Sequence, residues 1–390
     1  MYIYLITFIL SCLSLFVFEK IDGRIKYIFL GIGVFIPALL AGCRADTIGT
    51  DVRNYVEPIQ IYASGMRSFT EYINGNIVLL SGDSFSRIEK GYSAFVFFIS
   101  KINKSLFFNL FTTQFLIIGL MVVGLVKIRK YINTSLPFSM FLYYMLFFNI
   151  SLNLVRQSIA MSILFFAFPF LLENKWIYFL ISIFIATLFH KTAIIGLIIF
   201  LLYVILIKKF QVPQFKYGMK TIHIEGKPLI SGAVIAIVIL ILILMNPSSS
   251  ILNSILNILN LSSFGSLYSK GFGIFSFSQV IIRVPFLLLL IFSWEKMENN
   301  DLKYFYLVLT VIDILFAQMS GGSSIILRIS YYLSIFYIYA VPNEIAVYSN
   351  KSRILLQVAF LIGFISYWYY MFVVNNYNQT VPFVFNSTLF

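Results

Sequence analysis

Long apolar runs alternate with short polar connectors from one end of the chain to the other. A helix needs about 20 apolar residues to cross a bilayer core. Candidate spans are Tyr2 to Phe18, Tyr27 to Cys43, Leu106 to Val126, Leu136 to Ile150, Leu154 to Leu172, Trp176 to Phe189 and Thr192 to Ile207. Further along come Leu229 to Met245, Phe277 to Trp294, Tyr304 to Met319, Ile325 to Val341 and Ile354 to Val374. The pattern predicts an all-α polytopic membrane protein of about twelve transmembrane helices. The segment from Gly91 to Ser100 is apolar but short, and reads as a re-entrant or interfacial helix. The longest polar interval runs from Arg44 to about Lys104 and is expected to carry short helices. A second, Asn246 to Ser276, is rich in Ser, Asn, Gly and Leu, and Leu252 to Leu261 has the leucine spacing of an amphipathic surface helix. No internal repeat or soluble domain stands out, so residues 1–390 read as one integral-membrane domain.

Composition agrees. Hydrophobic residues make up 60% of the chain and charged residues 11%, with a mean hydropathy of +0.92; a soluble domain carries about a quarter charged residues. The apolar N-terminus lacks a basic n-region and reads as a first span, not a cleaved leader. Cys12 and Cys43 lie within or at the end of apolar segments, which points to neither a disulfide framework nor a zinc site.

The net charge of +13 follows the positive-inside rule rather than a nucleic-acid footprint. With the N-terminus outside, the inner side receives Lys20, Arg24 and Lys26, then Lys127, Arg129 and Lys130. It also receives the basic loop of about 208–228 and the pair Lys351 and Arg353. The outer side then holds the interval 44–104, the loop 246–276 and the tail after Asn375.

A minority of cations break this rule and carry the candidate chemistry. Arg44 and Arg53 flank the stretch RADTIGTDVRNY, Arg156 opens a span in NLVRQS, and His190 with Lys191 sits at a turn in FHKTA. Arg283 lies inside VIIRVP and Arg328 inside ILRISYY. An arginine within a span costs at least about 2.5 kcal/mol and requires a partner or a wet cavity. Its planar fork of donors matches phosphate oxygens, so a shared cationic pocket would suit a lipid-linked phosphate. Each arginine also fits a local acid pair or a snorkelling position.

The acids Asp46, Asp51, Asp83 and Glu89 cluster in the first long polar interval. One of them fits a general base; they equally fit salt bridges to Arg44, Arg53 or Arg87, or a helix cap at Asp51. His190 is a second candidate base or a hydrogen-bonder at a helix junction. No carboxylate–histidine cluster has metal-ligand spacing, so no metal and no cofactor is expected. Tyr55, Tyr92, Tyr331 and Tyr332 are candidates for stacking on sugar rings, among tyrosines that otherwise read as interfacial belt.

Five motifs in order carry a resemblance: RADTIGTDVRNY, IEKGYSAFVFFISK, NLVRQSIAMSILFFAF, TLFHKTAII and LRISYYLSIFYIYAVP. Together they resemble the EpsG family of Wzy-type polysaccharide polymerases, over most of the chain from Arg44 to Pro342. The resemblance implies a membrane glycosyltransferase of GT-C-like architecture in the bacterial cytoplasmic membrane, making O-antigen, capsule or exopolysaccharide. Its substrate would be an oligosaccharide repeat unit on undecaprenyl pyrophosphate, with a flippase and a chain-length regulator as pathway partners. The matching positions are Arg44, Gly49, Asp51, Tyr55, Glu89, Arg156, Gln157, His190, Lys191 and Arg328; Arg283 lies outside the motifs and rests on its burial. On this reading Asp51, Glu89 and His190 are the candidate catalytic bases. Arg44, Tyr55, Arg156, Gln157, Lys191, Arg283 and Arg328 are the candidate substrate contacts. The rival class is a flippase or transporter of the same lipid-linked oligosaccharide, though no paired halves with related broken helices are visible. A different lipid-donor acyl- or glycosyltransferase would need a clear donor pocket, and no repeated pore motif suggests a channel.

Overall fold

A computed structural model describes residues 1–208, 216–217, 220–221, 277–297, 301–318 and 324–387. The architecture is helical; the only strands among these residues are two-residue β1 (Lys216–Tyr217) and β2 (Lys220–Thr221), paired antiparallel. In hydrocarbon every backbone polar group must be satisfied within its own segment, so long apolar runs become helices.

The helices contact one another in two compact units, residues 1–194 with 348–390, and residues 195–347. In the first unit α1 (Tyr2–Lys20) packs on α2 (Lys26–Gly42). The polar interval forms a π-helical turn (Val52–Val56), then α3 (Glu57–Gly65), α4 (Phe69–Ile73) and α5 (Lys90–Ile102). Next come α6 (Leu106–Ile128), which lies between α2 and α9, and α7 (Leu136–Tyr143). The latter runs through a π-helical turn (Tyr144–Phe148) into α8 (Asn149–Asn153). After a break at Leu154 follow α9 (Val155–Leu172) and α10 (Trp176–Phe189). The second unit contains α11 (Gly196–Leu206), α12 (Phe277–Ser293), α13 (Leu302–Gln318), α14 (Ser324–Ser334) and α15 (Tyr337–Ala346). The chain then returns to the first unit with α16 (Asn350–Trp368), a π-helical turn (Tyr369–Val374) and a C-terminal tail.

Among the described residues five helices are long and apolar enough to cross a membrane: Tyr2–Lys20, Leu106–Ile128, Leu136–Asn153, Val155–Leu172 and Asn350–Val374. Shorter apolar helices occupy Lys26–Gly42, Trp176–Phe189, Lys191–Leu206 and Gln279–Ser293. The count of about twelve spans is therefore met only in part. Ile325 to Val341, expected as one span, is two helices joined at Ile335 and Phe336. The candidate span Leu229 to Met245, the loop 246–276, the leucine-spaced stretch 252–261 and most of the loop 208–228 lie outside the described residues. Helix α5 is 13 residues long, about 20 Å at 1.5 Å per residue, too short for a hydrocarbon core of about 30 Å.

Burial separates core from periphery. Of the Leu136–Asn153 window 89% is buried, against 11% of Asn350–Val374. The first helix sits inside the unit and buries Ser139, Asn149, Ser151 and Asn153 along with its apolar side chains; the second exposes Ile354, Leu355 and Ile362, as a lipid-facing helix would. Buried polar pairs stitch this core: Asn109 donates to Gln60 at 2.6 Å and Gln114 to Ser151 at 2.9 Å. A buried amide left unpaired would cost about 1–3 kcal/mol.

Candidate functional site

The site grows from the break between α8 and α9. Leu154 leaves helical geometry (φ −82°, ψ 62°), so α8 ends with carbonyls that lack an intrahelical donor. Arg44 supplies one. Its Nη2 donates to the Leu152 carbonyl at 3.3 Å and its Nη1 to the Ala41 carbonyl near the end of α2 at 2.9 Å. A cation at two helix C-termini also suits their negative dipole ends. The residue is 1% exposed, and burial lowers its guanidinium to about 10 against the opposing pull of Tyr4, Tyr92 and Tyr55, leaving it charged at neutral pH. Arg44 thus braces the loop from within, where a substrate contact was expected.

Gly49 explains the turn that follows. Its φ of +83° is in the left-handed region, and a Cβ there would lie 2.6 Å from the Leu152 oxygen; only glycine permits both. The same approach lets Asn153, just before the break, accept from the Thr50 hydroxyl at 2.9 Å and from the Asp51 amide at 3.1 Å. The C-terminal tail closes the other side. Ala45 donates to the Val384 carbonyl, Asn386 to the Cys43 carbonyl and Gly49 to the Gln379 carbonyl, while Asn153 donates to Asn378 at 2.9 Å. Tyr4 and Asn149 both hold Thr380.

Asp51 precedes the π-helical turn but makes no side-chain cap. Its Oδ2 instead accepts from the Tyr55 hydroxyl at 2.7 Å. Burial, then the Asp51 charge, pushes that hydroxyl well above its ordinary range, so it stays a donor. The Tyr55 ring is only 5% exposed and carries the Arg156 guanidinium 4.5 Å from its centroid, a cation–π contact. Tyr55 therefore positions two charged groups at once; its ring is packed away, where sugar stacking was expected.

Arg156 lies in the first turn of α9, where the helix dipole is already positive and a cation is disfavoured. An anion resolves the mismatch. Glu89 Oε2 accepts from Arg156 Nη1, and Glu89 Oε1 accepts from the Lys191 backbone amide at 3.2 Å. The Arg156 side chain is 21% exposed and that of Glu89 9%. The Arg156 Nε is buried with no hydrogen-bond partner. Gly91 makes this pairing possible: a Cβ there would sit 2.6 Å from the Leu188 oxygen, so its absence lets α5 approach the end of α10 and aligns Glu89 with Lys191.

The structure thus brings together Asp51, Tyr55, Glu89, Arg156 and the His190–Lys191 turn. His190 Nδ1 is 2.6 Å from the Thr192 hydroxyl. The Lys191 side chain is exposed, and Gln157 is buried with its amide 3.8 Å from Met161 Sδ. Asp83 is instead an exposed partner of Arg87 at 2.6 Å, a pairing that contributes little. Tyr92 is buried beside Tyr55, their centroids 6.1 Å apart. Asn153 and the tail residues Asn378 and Gln379 escaped the sequence reading. Asn153 opens the NLVRQS motif, three positions before Arg156, a signal that was available; the tail has no motif.

In the second unit Arg283 is saturated. Its Nε donates to Asp313 Oδ2 at 2.7 Å, Nη1 to the Gln279 carbonyl and Oε1, and Nη2 to Ser330 Oγ at 3.0 Å. Tyr337 donates to the same Asp313 oxygen at 2.8 Å. The expected pyrophosphate contact at Arg283 gives way to a buried ion pair; the single acid in YLVLTVIDILFAQ was the signal for it. Arg328 sits half-buried on α14. Among the described residues no three His, Cys, Asp or Glu side chains gather as a metal-holding group.

No curated protein and no solved structure matches the chain. The model of the EpsG family matches residues 27–385. That interval contains every motif whose side chains meet around Arg156, and it implies a membrane polysaccharide-polymerase-like protein. The chain belongs to the EpsG family.

Proposed function

We propose that this protein polymerises a surface polysaccharide (O-antigen, capsule or exopolysaccharide), moving the growing glycan from undecaprenyl pyrophosphate onto the non-reducing end of a lipid-linked repeat unit. The reaction takes place at the outer face of the bacterial cytoplasmic membrane. The observation that carries the reading is Arg156: a partly exposed guanidinium at a helix N-terminus, braced on the Tyr55 ring, with one buried nitrogen unpaired.

The acceptor hydroxyl attacks the anomeric carbon and gives its proton to Asp51. The new glycosidic bond forms as the bond from that carbon to the pyrophosphate oxygen breaks, with inversion. The electron pair leaves on undecaprenyl pyrophosphate, already an anion, and Arg156 stabilises the charge that builds there. Tyr55 holds Asp51 at 2.7 Å and the guanidinium at 4.5 Å, keeping base and cation at a set spacing, while Lys191 and Gln157 flank the cluster. Arg328 carries an expectation of a pyrophosphate contact from its motif alone, and Arg328→Ala tests it separately. Fixed cations supply the charge stabilisation, so chelators should leave turnover unchanged; loss of activity on metal removal would overturn that part.

The test is incubation of the purified protein with synthetic undecaprenyl-pyrophosphate repeat units. A ladder of products supports polymerisation. Movement of the substrate across vesicles with no ladder would establish the flippase reading instead.

A further inference from the structure

In this structure the Arg156 guanidinium is held by the carboxylate of Glu89, which also takes the Lys191 backbone amide at 3.2 Å. A guanidinium plus a main-chain N–H is the donor set that a phosphate oxygen takes in many anion sites. Glu89 is nine-tenths buried while Arg156 remains reachable at 21% exposure, so an incoming anion meets the cation first. The carboxylate is also on a short lever: it sits at the N-cap of α5 and makes no side-chain cap bond there. Nothing on its own helix ties it to Arg156, and the N-terminal end of that helix stabilises a negative charge after release. The Lys191 ammonium is exposed beside its own amide. Among the described residues Asp51, anchored by Tyr55, also faces Arg156.

We propose that Glu89 is an internal placeholder for the diphosphate of the lipid carrier. Its carboxylate occupies Arg156 and the Lys191 amide until the diphosphate displaces it, and it returns to expel the diphosphate product. The proposal rests on the reading of Arg156 as the pyrophosphate contact and adds an occupant to that site. A closed latch taxes affinity by the fraction of time the site is open, so a latch closed nine times in ten costs about tenfold. Glu89 is then a positioning residue with a distinctive signature: removing its charge tightens anion binding and slows release.

Inorganic pyrophosphate is titrated into the purified full-length chain in detergent, with calorimetry as the readout, on wild type, Glu89→Gln and Arg156→Ala. Glu89→Gln should bind about tenfold tighter and show a lower KM and a lower kcat for lipid-linked repeats, with stronger inhibition by pyrophosphate. A carboxylate with a purely structural role would give weaker or equal binding when replaced, and that result overturns the proposal. If Glu89→Gln does not purify as a single species, Glu89→Asp decides: it keeps the charge but is too short to span both donors, and should also bind tighter than wild type. Arg156→Ala separates the two layers. Loss of binding there with no gain at Glu89 removes the placeholder alone, whereas unchanged binding at Arg156→Ala removes the pyrophosphate contact itself.

Discussion

Two arginines in this protein look alike in the sequence and differ in the structure. Arg156 and Arg283 each interrupt an apolar stretch, and each meets a carboxylate. Around Arg283 the donors are used up: all three guanidinium nitrogens donate, to Asp313, Gln279 and Ser330, and Tyr337 donates to the same Asp313 Oδ2, although the buried Asp313 Oδ1 has no hydrogen-bond partner. Around Arg156 the shell is open: one nitrogen is held by Glu89, another is buried unpaired, and the flat face rests on Tyr55. A guanidinium whose donors are all taken by its own protein leaves nothing for a ligand. An open shell is tolerated only where something else completes it. The difference is that Arg156 combines an unpaired donor with partial exposure, whereas Arg44, whose Nε is also unpaired, is 1% exposed and braces the fold from within.

The sharpest way to break this comparison is a charge-neutralisation cycle on each pair. Asp313→Leu alone strands a buried cation and should cost about 3–5 kcal/mol, read as a lower thermal midpoint of the purified protein. Adding Arg283→Met should restore most of that stability, because apolar side chains of similar size replace the whole pair, and polymer should still form. If the double variant is stable but makes no polymer, Arg283 belongs to the reaction after all.

Next in size is Arg156→Lys. A point charge cannot reproduce the fork or lie flat on Tyr55, so turnover should fall about a hundredfold or more, close to the alanine variant. Near-normal ladders from the lysine variant would place the pyrophosphate elsewhere. Smaller again is Gly91→Ala. The added methyl meets the Leu188 carbonyl and must push α5 from α10, at about 1–3 kcal/mol; turnover should drop more than stability, since Glu89 moves with the helix. Tyr55→Phe keeps the ring under Arg156 but removes the donor to Asp51, worth about 1.5–3 kcal/mol for a bond to a charged group. It should slow turnover while leaving pyrophosphate affinity unchanged, which separates the two tasks of that side chain. At the bottom of the scale, Lys208→Gln should leave activity unchanged, and a large loss would reverse the assigned orientation.

Hydropathy is a local property, and it determined the membrane class and the existence and approximate ends of α1, α2, α6, α9 and α10. Motif order likewise identified the family that residues 27–385 match. The polar residues Ser151 and Asn153 marked the break near Leu154, but the one at Ile335–Phe336 lies inside the mainly apolar run Ile325 to Val341, so the pattern did not show it. Partner choice was decided only by the tertiary structure. Arg44 turned inward to cap α2 and α8, Tyr55 became a shelf for Arg156, Glu89 found Arg156 sixty-seven positions away, and the tail reached back to Gly49. A charged side chain in a low-dielectric interior takes whichever counter-charge or carbonyl the packing brings within hydrogen-bond reach. That depends on how helices distant in sequence are set against each other, which no stretch of residues read by itself contains.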